Sequence, residues 1–145
     1  MELSKEQIAM LIQEAAEARG RAYVPYSGFA VGAALLTPDG KIYTGCNIES
    51  VSYSPTTCAE RTALVKAVSE GEHKFTAIAV IGGHADGSIK EEADGYSAPC
   101  GVCRQFLYEF GKDILVIVAK SLDEYYIHPL SELLPLGFGP EYLQD

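Results

Sequence analysis

Two short segments constrain this chain more than any other feature: Cys58-Ala59-Glu60 and Pro99-Cys100-Gly101-Val102-Cys103. Each stands where a helix is expected to begin. Together they supply three thiolates and one carboxylate. Three thiolates on a tetrahedral zinc ion leave one position open, the condition for a catalytic and not merely structural site. Glu60, two residues after one of those cysteines, is placed to exchange protons with whatever occupies that position.

The positive end of a helix dipole favours thiolate over thiol, so Cys58, Cys100 and Cys103 are suited to a metal that binds only deprotonated sulfur. Three thiolates on Zn²⁺ leave a net charge of about −1, which weakens the metal as a Lewis acid. Arg61 and Arg104, each one residue from a motif position, are read as tuning that charge by donating hydrogen bonds to sulfur. Two simpler readings compete. Cys46 as a fourth ligand would make a closed structural site, although such sites usually use two short cysteine pairs. The C-x-x-C pair alone would suit redox chemistry, but leaves Cys58 and Glu60 unexplained. Glu60 by itself would be read as an acid favoured in the first turn of a helix. Its weight comes from standing with both motifs. Cys46 is otherwise a buried thiol at a strand end.

The chain has 145 residues, 48% of them hydrophobic, which fits a single domain over residues 1–145 with a sizeable core. Its 11 basic and 20 acidic residues give a formal charge of −9. That charge repels a phosphate backbone, so no nucleic-acid partner is expected and a neutral small molecule suits better. No apolar run is long enough for a membrane span, and Met1 to Glu6 lacks the layout of a signal peptide, so the expected location is the cytoplasm.

Ser4 to about Gly20 reads as an amphipathic helix with a capping box of Ser4 and Gln7 and an apolar face of Ile8, Leu11, Ile12, Ala15 and Ala16. Phe29–Leu36 and Lys41–Cys46 read as strands joined by Thr37-Pro38-Asp39-Gly40. A helix is expected from Cys58 to Gly71, a strand from Phe75 to Ile81, and an exposed loop from His84 to Ser97. A second helix follows from Cys100 to Gly111, then strands over Ile114–Ala119 and Glu124–His128, and a short helix over Leu130–Leu134. Strands alternating with helices indicate an α/β layer fold. The first hairpin makes its sheet mixed.

These residues resemble the cytidine deaminases of the small homotetrameric type. Zinc deaminases carry an H-x-E…P-C-x-x-C signature, and here Cys58 stands in the place of His, as in the three-cysteine form of the site. Tyr26-Ser27-Gly28-Phe29-Ala30-Val31-Gly32-Ala33-Ala34 is similar to the family's first strand, and Gly45-Cys46-Asn47-Ile48-Glu49 to its ribose-binding segment. Leu133-Leu134-Pro135 with Phe138-Gly139-Pro140 is similar to its C-terminal segment. The resemblance implies a three-layer α/β/α fold with a mixed sheet of about five strands. It implies zinc on Cys58, Cys100 and Cys103, and Glu60 as proton shuttle. It also implies ribose contacts from Asn47 and Glu49, Phe29 packed near a nucleoside, and the backbone at Ala59 holding the base. Tyr53 and Phe138 would reach a site on a neighbouring subunit of a homotetramer.

The implied reaction is hydrolytic deamination of cytidine and 2′-deoxycytidine, in pyrimidine salvage. Ser50, the stretch Ser54-Pro55-Thr56-Thr57, and the long acidic loop from His84 to Ser97 depart from the family's usual pattern. A deaminase of a cytosine-nucleoside antibiotic, or of a nucleotide or tRNA, would share the zinc chemistry. Asn47-Ile48-Glu49 favours a ribose over the first, and the acidic charge disfavours the second. A zinc-holding assembly protein with a dead site would not need Glu60.

Overall fold

The computed structural model describes residues 3–85 and 96–143. In chain order these form α1 (Lys5–Arg19), β1 (Phe29–Leu36), β2 (Ile42–Cys46), α2 (Ala59–Ser69), β3 (Ala77–His84), α3 (Gly101–Tyr108), β4 (Leu115–Ala119), β5 (Tyr125–Pro129) and α4 (Leu130–Leu133), before a single 3₁₀ turn at Pro140–Tyr142. Ser4 caps α1 as its sequence demands. Its Oγ accepts from the Gln7 N–H at 3.1 Å, and Gln7 Oε1 accepts from the Ser4 N–H at 3.0 Å.

The strands form one sheet in the order β2-β1-β3-β4-β5. β1 pairs antiparallel with both β2 and β3, and β3 pairs parallel with β4. It follows that β2, β3 and β4 run the same way. Gly32 of β1 faces Cys46 on one side and Ile81 on the other, so β2 and β3 finish at the same edge of the sheet. The chain leaves β2 to enter α2 and leaves β3 to enter α3. Both helices therefore start at that edge.

Alternation along the strands builds two cores. Ala33, Leu35, Ile78, Val80, Val116 and Val118 face α2 and α3, where Leu64, Ala67 and Leu107 meet them. Ala34, Leu36, Ala79, Ile117 and Ala119 face α1, against Ile8, Leu11, Ile12 and Ala15. This is the three-layer α/β/α arrangement with a five-stranded mixed sheet. Burial on both faces explains why β1, β3 and β4 read as nearly continuous apolar runs.

Several boundaries differ from the sequence reading. Cys58 and Cys100 are N-cap residues in extended conformation, so α2 and α3 begin one residue later. α2 and α3 also end short of Gly71 and Gly111. Gly71 N–H bonds back to Val68 and Gly111 N–H to Tyr108, three residues away, so each helix closes in a tighter turn. Both glycines have positive φ, +101° and +154°. β3 starts at Ala77 and runs on to His84, because Phe29 at the start of β1 pairs with it there. Of the expected His84–Ser97 loop, residues 86–95 lie outside the described residues.

Two glycines set the spacing between layers. A Cβ on Gly32 would lie 1.9 Å from the carbonyl oxygen of Ala15 in α1, and one on Gly45 would lie 2.5 Å from both Ala59 O and Ala63 N in α2. Gly45 thus lets the first turn of α2 rest on β2, which fixes the height of Cys58 and Glu60 above the sheet. Gly101 has nothing within 4 Å of the same construction. Gly45→Ala should lower unfolding free energy by about 1–3 kcal/mol through overpacking. Gly101→Ala should be neutral or stabilising by up to ~1 kcal/mol. Urea unfolding midpoints of the two variants against the parent measure the difference.

Candidate metal centre and active site

The two helix starts bring Cys58, Cys100 and Cys103 into one cluster, with all three sulfurs within 4.8 Å of one another. Cys58 and Cys100 are the N-caps of α2 and α3, and Cys103 sits in the first turn of α3. The Sγ separations are 3.8 Å for Cys58–Cys100 and 3.5 Å for Cys100–Cys103. Three sulfurs at tetrahedral angles on a zinc ion, with Zn–S near 2.3 Å, would stand about 3.8 Å apart. The donor set therefore fits zinc by both its chemistry and its spacing. Among the described residues this is the one such cluster of metal-binding side chains, and Cys46 does not belong to it.

Electrostatics at the cluster follow from burial and hydrogen bonding. The Cys58 thiol is brought down to about 5, chiefly by accepting a hydrogen bond from Cys103, with Arg61 adding a second. The same shared proton and burial hold the Cys103 thiol up. A divalent cation bound between them would displace that proton. Arg61 Nη2 lies 3.4 Å from Cys58 Sγ and 3.4 Å from the Thr56 carbonyl. Its Nε is buried and has no partner among the described residues. Arg61 thus delivers positive charge to sulfur. Arg104 does not bond sulfur: its Nε donates to Pro99 O at 2.7 Å and its Nη1 to Leu133 O at 2.8 Å. One residue further along α3 turns the side chain away from Cys103, and Arg104 ties the cysteine loop to α4 instead.

Glu60 is 4% exposed, one of few buried polar side chains among the described residues. Burial pushes its carboxyl up to about 7, and the nearby Cys58 thiolate adds to the shift. A cavity of about 160 Å³ opens beside it, lined by Phe29, Asn47, Cys58, Ala59, Glu60 and Cys100 among others. Phe29 comes from the start of β1 and packs edge-on against His84, with ring centroids 5.8 Å apart. Asn47 follows β2 directly. Its Oδ1 accepts from the Val31 N–H at 2.9 Å and its Nδ2 donates to the Phe29 carbonyl at 2.9 Å.

Glu49 does not line the cavity. It braces the 26–27 turn, accepting from the backbone N–H groups of Tyr26 and Ser27 at 3.0 and 3.1 Å and from the Ser27 hydroxyl. The Ser27 hydrogen bond, first among these, holds the carboxyl below its ordinary value. Tyr53 and Phe138 lie away from the cavity, 73% and 54% exposed. Tyr53 packs edge-on against Tyr26, and Phe138 stacks on Tyr142 with centroids 5.2 Å apart. In the 50–57 stretch the Ser50 N–H donates to Thr56 Oγ1 at 3.0 Å and the Thr57 hydroxyl donates to the Pro55 carbonyl at 3.0 Å. Sequence reasoning missed Ser97, Ala98, Val31 and Val80, which complete the cavity wall. The signal for Ser97 and Ala98 was their place just before Pro99-Cys100.

Comparison with known proteins agrees with this geometry. Residues 5–119 match the family model described as the cytidine and deoxycytidylate deaminase zinc-binding region. A cytidine deaminase of Sporosarcina psychrophila is 44% identical over 137 residues, covering 94% of each chain. The solved cytidine deaminase of Burkholderia pseudomallei superposes with a TM-score of 0.79 at 43% identity, covering 89% of this chain and 97% of the other. That of Mycobacterium tuberculosis gives 0.73 at 40% identity, covering 90% and 95%. The chain belongs to the cytidine and deoxycytidylate deaminase family.

Single substitutions test the ligand set. Cys58→Ala, Cys100→Ala and Cys103→Ala should each lose most of about one zinc per chain. Cys46→Ala should retain it. Elemental analysis of the purified variants reads the result, and zinc loss confined to the Cys46 variant would replace this ligand set with another.

Proposed function

We infer that this chain is a zinc-dependent cytidine deaminase, converting cytidine and 2′-deoxycytidine with water to uridine and 2′-deoxyuridine plus ammonia. The observation that carries the reading is a buried carboxyl, Glu60, opening onto the same small cavity as a three-thiol cluster of zinc dimensions. When bound, zinc supplies the Lewis acidity that makes a water nucleophilic near neutral pH.

The rest of the chemistry falls to the protein. Glu60 takes a proton from that water and delivers it to N3 of the base as C4 is attacked. It then carries a proton to the amine that leaves C4 as ammonia. Its carboxyl opens onto the cavity beside the cluster, a position that suits one residue serving as base and then acid. Burial also keeps bulk water from competing for those transfers.

Asn47 and Glu49 are assigned to the ribose. Each keeps capacity for it: an amide oxygen has a second lone pair, an amide nitrogen a second hydrogen, and a carboxylate about four acceptor sites. Phe29 lies against the nucleoside, and the Ala59 backbone at the start of α2 faces the base. Arg61 offsets the charge of three thiolates.

A shared site in a homotetramer is the finer reading of the assembly. The cavity of about 160 Å³ falls below the roughly 300 Å³ at which small-molecule pockets begin. The aromatics assigned to closing it, Tyr53 and Phe138, point outward. Leu136, two residues before Phe138, is fully exposed with a φ of 57°, and Tyr53 has a φ of 64°, both in the left-handed region that side chains disfavour. A neighbour that buries these side chains would offset that strain. Closed symmetry lets every subunit give and receive the same contact.

Turnover is followed by the absorbance change as uridine forms. The parent should deaminate cytidine, and Glu60→Gln should keep its zinc and fold while losing roughly 10²–10⁴-fold in kcat. A zinc-loaded Glu60→Gln variant at near-parent kcat would remove Glu60 from the mechanism. For the assembly, sedimentation at assay concentration should give a homotetramer. Truncation after Pro135 should weaken association and raise KM together. A fully active monomer would overturn the shared site.

A further inference from the structure

Most polar side chains on the cavity wall already have a bonding partner or an assigned role. Asn47 bonds backbone at both ends of its amide. Cys58 and Cys100 belong to the thiol cluster, and Glu60 is assigned to proton transfer. Ser97 remains. It lines the cavity, is half-buried, and its hydroxyl has no hydrogen-bond partner among the described residues. A half-buried hydroxyl with no side-chain or backbone partner can be solvated, and it stays free to exchange that solvent for a polar group that enters the cavity.

The position of this hydroxyl is set by Gly82 of β3. A Cβ added at Gly82 would fall 2.6 Å from Ser97 Oγ, 2.9 Å from Ser97 Cβ and 3.1 Å from Phe29 Cε2. The Ser97 side chain and the Phe29 ring therefore both lie above this one residue, and both line the cavity. Gly82 pairs with Val31, itself a lining residue, so the wall is tied to the sheet and not to a free loop. Any larger residue at 82 would push the hydroxyl and the ring out of that arrangement.

We propose that Ser97 is a substrate-reading residue whose hydroxyl hydrogen-bonds a polar group of the bound nucleoside, and that Gly82 is the positioning residue that seats it beside Phe29. The inference rests on the deaminase reading above. The partner is a hydrogen-bonding group of the sugar or of the base, since a neutral hydroxyl both donates and accepts.

Ser97→Ala removes one oxygen from a half-buried position and is expected to leave zinc content and melting temperature unchanged. It should lower kcat/KM for cytidine about tenfold, mostly through KM, because the contact is made in the ground state as well as the transition state. The affinity for uridine, the product, measured by calorimetry without turnover, should fall by a similar factor unless the contact is to the exocyclic amine that uridine lacks. Repeating the Ser97→Ala comparison on 2′-, 3′- and 5′-deoxycytidine locates the contact. If the substitution becomes silent on one analogue, Ser97 reads that hydroxyl. An equal loss on all three places the contact on the base. Gly82→Ala should cost more than Ser97→Ala, since it displaces Phe29 too.

A Ser97→Ala variant within twofold of the parent on cytidine overturns the proposal, whatever Gly82→Ala does. A parent with no activity on cytidine would instead overturn the deaminase reading, and the two failures are separate measurements.

Discussion

The site depends on strand direction. Because β1 runs against both of its neighbours, β2 and β3 end at one edge of the sheet, and both are followed by helices on the same face. The start of α2 and the start of α3 are thereby forced together, and with them every sulfur of the cluster. Ligands of open α/β sheets bind outside the carboxyl ends of the strands for this reason. Phe29 and Val31 at the start of β1, Asn47 after β2, and Val80 and Gly82 near the end of β3 gather at that edge too. Five separated stretches of chain meet there.

Bringing three thiols to two helix N-termini solves one electrostatic problem and creates another. The dipoles favour the thiolates, but the thiolates then repel the carboxylate form of Glu60, which burial already disfavours. A buried acid beside thiolates is a poor structural choice, since burial and the Cys58 thiolate both disfavour its charged form. Arg61 is the counterweight. It reaches the Cys58 sulfur from within the same helix, so its charge enters the cluster without a second element having to be positioned.

The motifs and most elements could be read from residue order because each has a local cause. Ser4 with Gln7 caps α1, Phe29–Leu36 is an apolar run of strand length, and the cysteines announce two helix starts. What sequence could not supply was direction. Arg104 stands next to Cys103, as Arg61 stands near Cys58, yet the turn of α3 points it at Leu133 and not at sulfur. Ser97 and Ala98 sit on irregular backbone with no periodicity to reveal which way they face. Gly82 reads as one more glycine in an apolar strand, and its meaning appears only when Ser97 and Phe29 are seen above it.

Asn47 shows why a substrate-binding role and a structural role are hard to separate at this edge. Its amide replaces a strand pairing: it takes the Val31 N–H and returns a hydrogen bond to the Phe29 carbonyl, so it extends the β1–β2 ladder by one side chain. Removing it would unpair two backbone groups beneath Phe29 before any nucleoside was lost. Glu49 repeats the pattern on the Tyr26-Ser27 turn. Residues assigned to the ribose are thus held rigid by the fold's own hydrogen bonds: Asn47 uses one lone pair and one hydrogen and keeps one of each, and Glu49 accepts three bonds and keeps about one acceptor site on Oε2. Preorganisation of this kind lowers the entropy lost when substrate binds. Ser97 stands apart from both, with its hydroxyl committed to nothing in the described fold.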